Sequence, residues 1–426
     1  MTAFRNKLVG AACIQASSPV LLLFLALVVS RTQGAAAQGI FATGKSLIDL
    51  LVAFGSFGFA QSIIHAIHHS GADRRRLLVY SSLYSLAVLI FIAAMLLTVF
   101  PQDLASTFES ALLLSFCAVA IIFNNLSRAV LLTVYDGNAF SWHTVLPSVA
   151  FFAVFLVAST AGVSIAISFP ELSAIVALIV VIGSLIFMFL FADLGPVASV
   201  KLPWASLLKN GLDAFIQQVL IVSQTYLSLY LLQKYAVDTR ELGWLSVGIM
   251  VYQAIGLPLQ MVGPMLVNRW VSRDDFSINS TEITRVMLIC VRVGVLAIIA
   301  SPIVFYIIPV IFGTDFSSAS SVAAIMFLGA YPILIGRACS TIAVSAGRFR
   351  ANAQQAALRI FSTMFLCFLF SQFYGLHAWV VAVCWIGAEM ISALYISRQM
   401  SNITLIPLIN LWIGRAKAQE SLTQEI

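Results

Sequence analysis

The chain has 426 residues, 61% of them hydrophobic and only 9% charged, with a mean hydropathy of +1.01. Soluble domains carry about 25% charged and about 45–50% apolar residues, and even a large soluble fold leaves about a quarter of its extended-chain surface exposed. Water is therefore not the solvent for most of this chain, which excludes a soluble enzyme, a nucleic-acid reader and a secreted disulfide scaffold. The formal charge of +6 does not reopen the nucleic-acid reading. Its basic residues sit in short loops between apolar runs, where the positive-inside rule accounts for them.

A helix needs about 20 apolar residues to cross the hydrocarbon core. Twelve such runs are read: Leu8–Val29, Ile40–Ile64, Leu77–Phe100, Ala111–Val134, Val145–Ile167, Leu172–Phe191, Leu212–Leu232, Leu242–Val267, Val286–Phe312, Ser320–Val344, Leu358–Phe373 and Ala378–Ser397. The first is longer than the about 7–15 residues of a signal-peptide core. It is taken as a retained span, although Ala35-Ala36-Ala37 imitates a cleavage site. With a cytoplasmic N-terminus, sixteen Lys and Arg residues fall on the inner side, among them Arg5, Lys7, Arg74, Lys201, Arg359 and Arg398. Only Arg31, Lys234 and Arg240 fall on the outer side. This asymmetry and the even number of runs place both termini in the cytoplasm. Beyond the twelfth run, Ile403 to Trp412 is too short to cross; with Arg415 and Lys417 following, it is expected to lie on the inner leaflet.

The six cysteines (Cys13, Cys117, Cys290, Cys339, Cys367, Cys384) fall inside apolar runs without metal-ligand spacing and read as small buried hydrophobes. His65, His68 and His69 read as a solvated loop, and no metal or cofactor is expected. Glycines and prolines within the runs, such as Gly55, Gly58, Pro19, Pro147, Pro302, Pro309 and Pro332, mark expected kinks.

Six runs precede the loop that holds Asp193, Gly195, Pro196 and Pro203, and six follow it. The expected organisation is an all-α polytopic membrane protein with an N-terminal six-helix lobe over 1–192, a cytoplasmic linker over 193–209, a C-terminal lobe over 210–397 and a cytoplasmic tail over 398–426. Halves that both start inside are parallel repeats. An offset of 204 sets Gly39, Gly44 and Asp49 on Gly243, Gly248 and Gln253, and an offset of 209 sets Arg128-Ala129 on Arg337-Ala338.

Four basic residues are left over from the loops: Lys45, Arg128, Arg292 and Arg337. A charge near the bilayer centre costs at least about 2.5–3.5 kcal/mol. Lys45 has Asp49 four residues on as a pairing partner, and the three arginines have the option of snorkelling to the inner interface. Their surroundings point elsewhere. Asn124 shares a helix face with Arg128, and Ser340 and Thr341 accompany Arg337. Asp213, Gln217, Gln224 and Ser228 line up at helical spacing, and Gln253 and Gln260 sit seven apart. Single polar residues often serve as helix–helix glue. A set from both halves, heavily basic, suits an aqueous cleft for an anion bearing sugar hydroxyls, because the planar arginine fork binds phosphate bidentately. Glu389, midway along the last run, is a candidate for ion coupling or for pairing with a neighbouring helix.

Twelve runs in two sixes, Gln38-Gly39-Ile40-Phe41-Ala42-Thr43 ahead of Gly55 and Gly58, Gly256-Leu257-Pro258 leading to Pro264, and Ala346-Gly347-Arg348 together resemble one family. It is the oligosaccharide flippase branch of the multidrug/oligosaccharidyl-lipid/polysaccharide (MOP) exporter superfamily. The resemblance implies two six-helix bundles, MATE-like, that open alternately to either side of the bacterial inner membrane. It implies an undecaprenyl-pyrophosphate-linked sugar unit as cargo, contacted by Lys45, Arg128 and Arg337, and work alongside a polysaccharide polymerase and glycosyltransferases. The protein is expected to act as a monomer among membrane lipids. A drug or cation antiporter of the same fold is the competing reading, and needs acidic cavity residues. An embedded polymerase or ligase would be expected to carry a large outer loop, whereas the longest outer loops here are Phe100 to Ser110 and Gln233 to Glu241.

Overall fold

The computed structural model describes residues 2–60, 63, 74–98, 107–132, 137–191, 204–236, 238–271, 281–346 and 348–400. Its regular elements are all helical: α1 Thr2–Ser56, α2 Arg74–Thr98, α3 Phe108–Leu132, α4 Gly137–Thr160, α5 Ile165–Phe191, α6 Trp204–Tyr235, α7 Arg240–Val271, α8 Thr281–Phe312, α9 Ala319–Leu328, α10 Ala330–Ser345, α11 Phe349–Tyr374 and α12 Ala378–Gln399. A 3-10 turn, Thr314–Phe316, joins α8 to α9.

α1 is two helices joined at Gly34, whose φ of 80° and ψ of −176° leave the helical region. Glycine reaches that conformation without a Cβ penalty. Before Gly34 the partners on α4 rise with residue number: Gln15 with Ser141, Ser18 with Ser148, Gln33 with the Val163 carbonyl just beyond it. After Gly34 they fall, from Phe41 on Phe155 to Lys45 over Phe151. The chain therefore reverses direction within a few residues, and the two arms are the first two runs of the sequence.

Ten helices among the described residues are long and apolar enough to cross a membrane, and α9 with α10, bent by 49° about Gly329, make an eleventh span. One of the ten, Cys13–Ser56, has 44 residues. Its arms on either side of Gly34, 13–33 and 35–56, each extend about 32 Å at about 1.5 Å per residue, enough for a hydrocarbon core of about 30 Å. Counting both arms brings eleven to twelve. The chain is a multi-pass α-helical membrane protein.

The boundary between the fifth and sixth runs differs from the sequence reading. The fifth and sixth runs, drawn at Val145–Ile167 and Leu172–Phe191, are cut instead at 161–164. Gly162, at φ 74°, ends α4. Val163 N–H bonds the Ala158 carbonyl at 2.9 Å and Gly162 N–H the Ser159 carbonyl at 3.3 Å, the paired closure of a Schellman cap. Hydropathy runs straight through this turn because Val163, Ile165 and Ile167 are apolar, so the run conceals the stop. The kinks are also unevenly distributed. Pro170 accompanies a non-helical Ser168 in α5, and Pro332 follows the bend at Gly329, whereas Pro19, Pro147, Pro302 and Pro309 lie within helices at positions that carry no backbone break.

The chain divides into two compact units, Met1–Ser246 and Val247–Ile426. In the first, α3 packs against α1, α2, α4 and α5, and α6 packs on α1. Its core is aromatic, with Phe41, Phe155 and Phe169 at ring distances of 5.0–6.3 Å. In the second, α12 packs against α9, α10 and α11, and α8 packs against α9 and α10. A core of Met287, Cys290, Leu334, Cys339 and Ile342 fills it. Lipid supplies no hydrophobic drive between helices, so such close packing and polar ties hold the bundle. Five cysteines are buried as expected; Cys13 is exposed.

Candidate functional site

Six charged residues lie at least seven residues from both ends of their spans, with the long first span taken as its two arms: Lys45, Asp49, Arg292, Arg337, Arg359 and Glu389. These are four cations and two anions among the described residues, a surplus of 4 − 2 = 2 positive charges.

In the first unit, Lys45 and Asp49 form an ion pair within one turn of α1. Nζ lies 2.6 Å from Oδ1 and 2.7 Å from Oδ2, and Nζ sits 5.3 Å from the centre of the Phe151 ring. Asp49 keeps 44% of its side chain exposed, yet both its oxygens are taken by the lysine. Asn124 on α3 is 1% exposed and directs its amide to other helices. Nδ2 reaches His143 Nδ1 at 3.1 Å and the His143 carbonyl at 3.3 Å on α4, and Ser184 Oγ at 3.0 Å on α5. Ser127 lies 3.3 Å from His143 Nε2 and donates to the Asn124 carbonyl at 3.0 Å. These contacts are mutually consistent for a neutral His143 with its proton on Nε2. Arg128, one turn after Asn124, is half-buried and close enough for its charge to bear on His143. His143 escaped the sequence reading; the signal available was Asn124 itself, since a buried amide needs partners.

On α6, Gln217 is half-buried, and Gln224 and Ser228 are buried. The side chains of Asp213 and Gln260 lie outside the described residues, as do His65, His68 and His69 and the segment from Ile403 to Trp412.

The second unit gathers charge. Glu389 on α12 is 2% exposed. Its Oε1 accepts from Arg359 Nη1 on α11 at 3.1 Å and, at short range, from the Tyr252 hydroxyl on α7. Arg359 Nη1 also lies 3.4 Å from that hydroxyl. Trp385 stands edge-on to the Tyr252 ring at 5.3 Å. On the same ring, Arg337 of α10 places its guanidinium carbon 5.2 Å from the centroid, cation–π range. Arg337 Nη1 is buried with no hydrogen-bond partner among the described residues. Gly256, one turn after Tyr252, makes the room: a Cβ there would land on the Arg337 guanidinium. Ser340 donates to Asn352 Oδ1 on α11, and Thr341 donates to the Arg337 carbonyl at 3.0 Å.

Arg359 corrects the loop count. The count places it on the inner side, but it is the eleventh residue of α11, at 11% side-chain exposure, with Glu389 as counter-ion. The run drawn from Leu358 holds it only as its second residue, because Arg350, Asn352, Gln354 and Gln355 make the first turns of α11 look like loop and set the start of the run too late. Arg292 lies on the exposed face of α8, in a stripe with Ile289, Leu296 and Ile299. Gln253 is exposed on α7.

No protein-family model matches the chain, and no curated protein matches it in sequence. Solved structures do. The class they define is the MATE-like fold of polytopic helical membrane proteins. The chain is similar to the inward-facing conformation of a multidrug resistance MATE family transporter of the MOP superfamily, with TM-score 0.63, 17% identity, and 92% of this chain and 98% of that chain covered. It is similar to the outward-facing conformation of such a transporter, at TM-score 0.64, 17% identity and 94% and 96% coverage. It is also similar to the lipid II flippase MurJ in an inward closed conformation, at TM-score 0.68, 16% identity and 95% and 90% coverage.

Proposed function

We propose that this protein is a transporter that turns undecaprenyl-pyrophosphate-linked oligosaccharide units across the bacterial inner membrane for surface polysaccharide synthesis. The lobes over 1–192 and 210–397 would be its moving bodies in an alternating-access cycle, with both termini cytoplasmic, and a polymerase and glycosyltransferases would act before and after it. The observation that carries this reading is the surplus of intramembrane cations, with both interior carboxylates already paired and Arg337 left with an unpartnered guanidinium nitrogen. Such groups are expensive in lipid unless function retains them, and a pyrophosphate is the anion that a planar guanidinium binds best. The MATE-like fold, shared with a lipid II flippase, supports the mode of action.

The test is a proteoliposome assay with a fluorescent polyprenyl-pyrophosphate glycan, read as the fraction accessible from outside. Arg337→Ala is expected to stop turnover with the protein still inserted, and Arg337→Lys to restore part of it. Wild-type turnover in Arg337→Ala would refute the reading. The competing cation antiporter needs a carboxylate open to its cargo. Lys45 holds both oxygens of Asp49, the more exposed of the two interior carboxylates.

A further inference from the structure

Glu389 sits in the middle of a span, eleven residues from Ala378 and ten from Gln399. A carboxylate in that place stays ionised only with a cation beside it. In a carrier driven by an ion gradient, the cation is exchangeable, a proton or Na⁺ that arrives from one side and leaves to the other. Here the position is filled by the chain itself. Arg359 Nη1 donates to Glu389 Oε1 at 3.1 Å, and the Tyr252 hydroxyl donates to the same oxygen. A guanidinium is permanently charged and covalently attached; it neither dissociates nor titrates during a transport cycle.

The neighbouring charges agree with this. Of the helices packed on α12, α11 brings Arg359 and the Cys367 thiol, which faces Cys384 of α12. α10 brings Arg337, and α9 brings no charged residue. α7 adds Tyr252, on whose ring Arg337 rests. Arg359 thus stands on the carboxylate and Arg337 on the ring of the phenol that donates to it, so an added Na⁺ at Glu389 would meet repulsion from Arg359 directly.

We infer that Arg359 is the resident counter-ion of Glu389, occupying the place of a coupling ion, so that this carboxylate exchanges neither Na⁺ nor a proton when the carrier works. Glu389 then has a positioning role in place of the ion-coupling role suggested by its sequence. By fixing the Tyr252 hydroxyl, it fixes the ring beneath Arg337. The inference is independent of what the cargo is.

The test uses the full-length purified protein and needs no cargo. An ion that binds the folded state raises the unfolding temperature with its concentration. Thermal unfolding is therefore followed in NaCl against choline chloride at equal ionic strength, and from about pH 8 down to about pH 5, toward the ordinary glutamate range near 4.3. Wild type and Glu389→Gln are expected to respond identically to Na⁺ and to acid. Arg359→Ala is expected to unfold several degrees lower and to recover most of that loss in Na⁺ or in acid, because its carboxylate has lost its cation. The charge-free pair Arg359→Leu with Glu389→Gln is expected to be stable and indifferent to both. A stabilisation of wild type by Na⁺ or acid that vanishes in Glu389→Gln would overturn the inference. So would an Arg359→Ala protein deaf to both ions, or a charge-free pair as unstable as Arg359→Ala. If Arg359→Ala cannot be purified, wild type, Glu389→Gln and the charge-free pair decide the matter by the same criteria.

Discussion

Asn124 in the first unit and Glu389 in the second are both almost wholly buried in apolar helices, at 1% and 2% exposure, and each ties three helices together. Asn124 does so without charge, through His143 and Ser184. Glu389 does so through an ion pair and a phenol. The difference lies in what is left when a partner goes. Removing a neutral partner leaves an unsatisfied dipole, costing about 1–3 kcal/mol. Removing one of a buried ion pair leaves a bare charge, costing about 3–5 kcal/mol. The first cluster behaves as a fastening. The second is a charged assembly in which one carboxylate is paired with Arg359 and a further cation, Arg337, rests on the ring of Tyr252.

That contrast is open to direct attack, and the largest effect is expected at Arg359. Arg359→Ala should destabilise by about 3–5 kcal/mol, measured by thermal unfolding in detergent, whereas exchanging both partners for apolar residues should cost far less. A loss in the double variant as large as in the single one would erase the distinction between the clusters. Next is Gly256→Ala, whose new methyl falls on the Arg337 guanidinium. Because the end of a flexible side chain gives way readily, the fold should survive while flipping in proteoliposomes drops toward that of Arg337→Ala. Normal flipping would show that the seat of Arg337 is unimportant. In the first unit, Asn124→Leu should lower stability by about 1–3 kcal/mol, with flipping per folded molecule unchanged. A specific loss of turnover would move Asn124 from fastening to site.

The smallest effect is expected outside the membrane. Asp238 accepts the Arg240 backbone N–H at 2.9 Å and the Arg240 Nε–H at 2.8 Å where α7 begins. The Arg240 side chain, then its backbone N–H, hold the Asp238 carboxyl below the usual range. A depressed folded-state value means that the stabilisation is present above the unfolded carboxylate value of about 3.9 and fades as pH falls through the lower folded one. Asp238→Asn should therefore unfold slightly earlier at neutral pH, and the gap should close in strong acid. A gap that widens in acid would contradict the assignment.

Much of this molecule is readable from composition alone. Twelve apolar runs and the surplus of cations within them follow from residue order, because hydrocarbon accepts only long apolar helices and expels unpaired charge. The Lys45–Asp49 pair is legible for the same reason as any four-residue helical pair. The reversal at Gly34 and the cap at Gly162 are less so, since neither changes the hydropathy of the run that contains it. Only the tertiary structure decides that Arg359 lies well inside its helix, that its partner is Glu389 thirty residues away on the next helix, and that Tyr252 lies under Arg337. Hydropathy records how much of a helix lipid will tolerate. Which face of that helix meets which neighbour depends on packing between distant segments, and it is there that a misplaced loop arginine became the counter-ion of a buried acid.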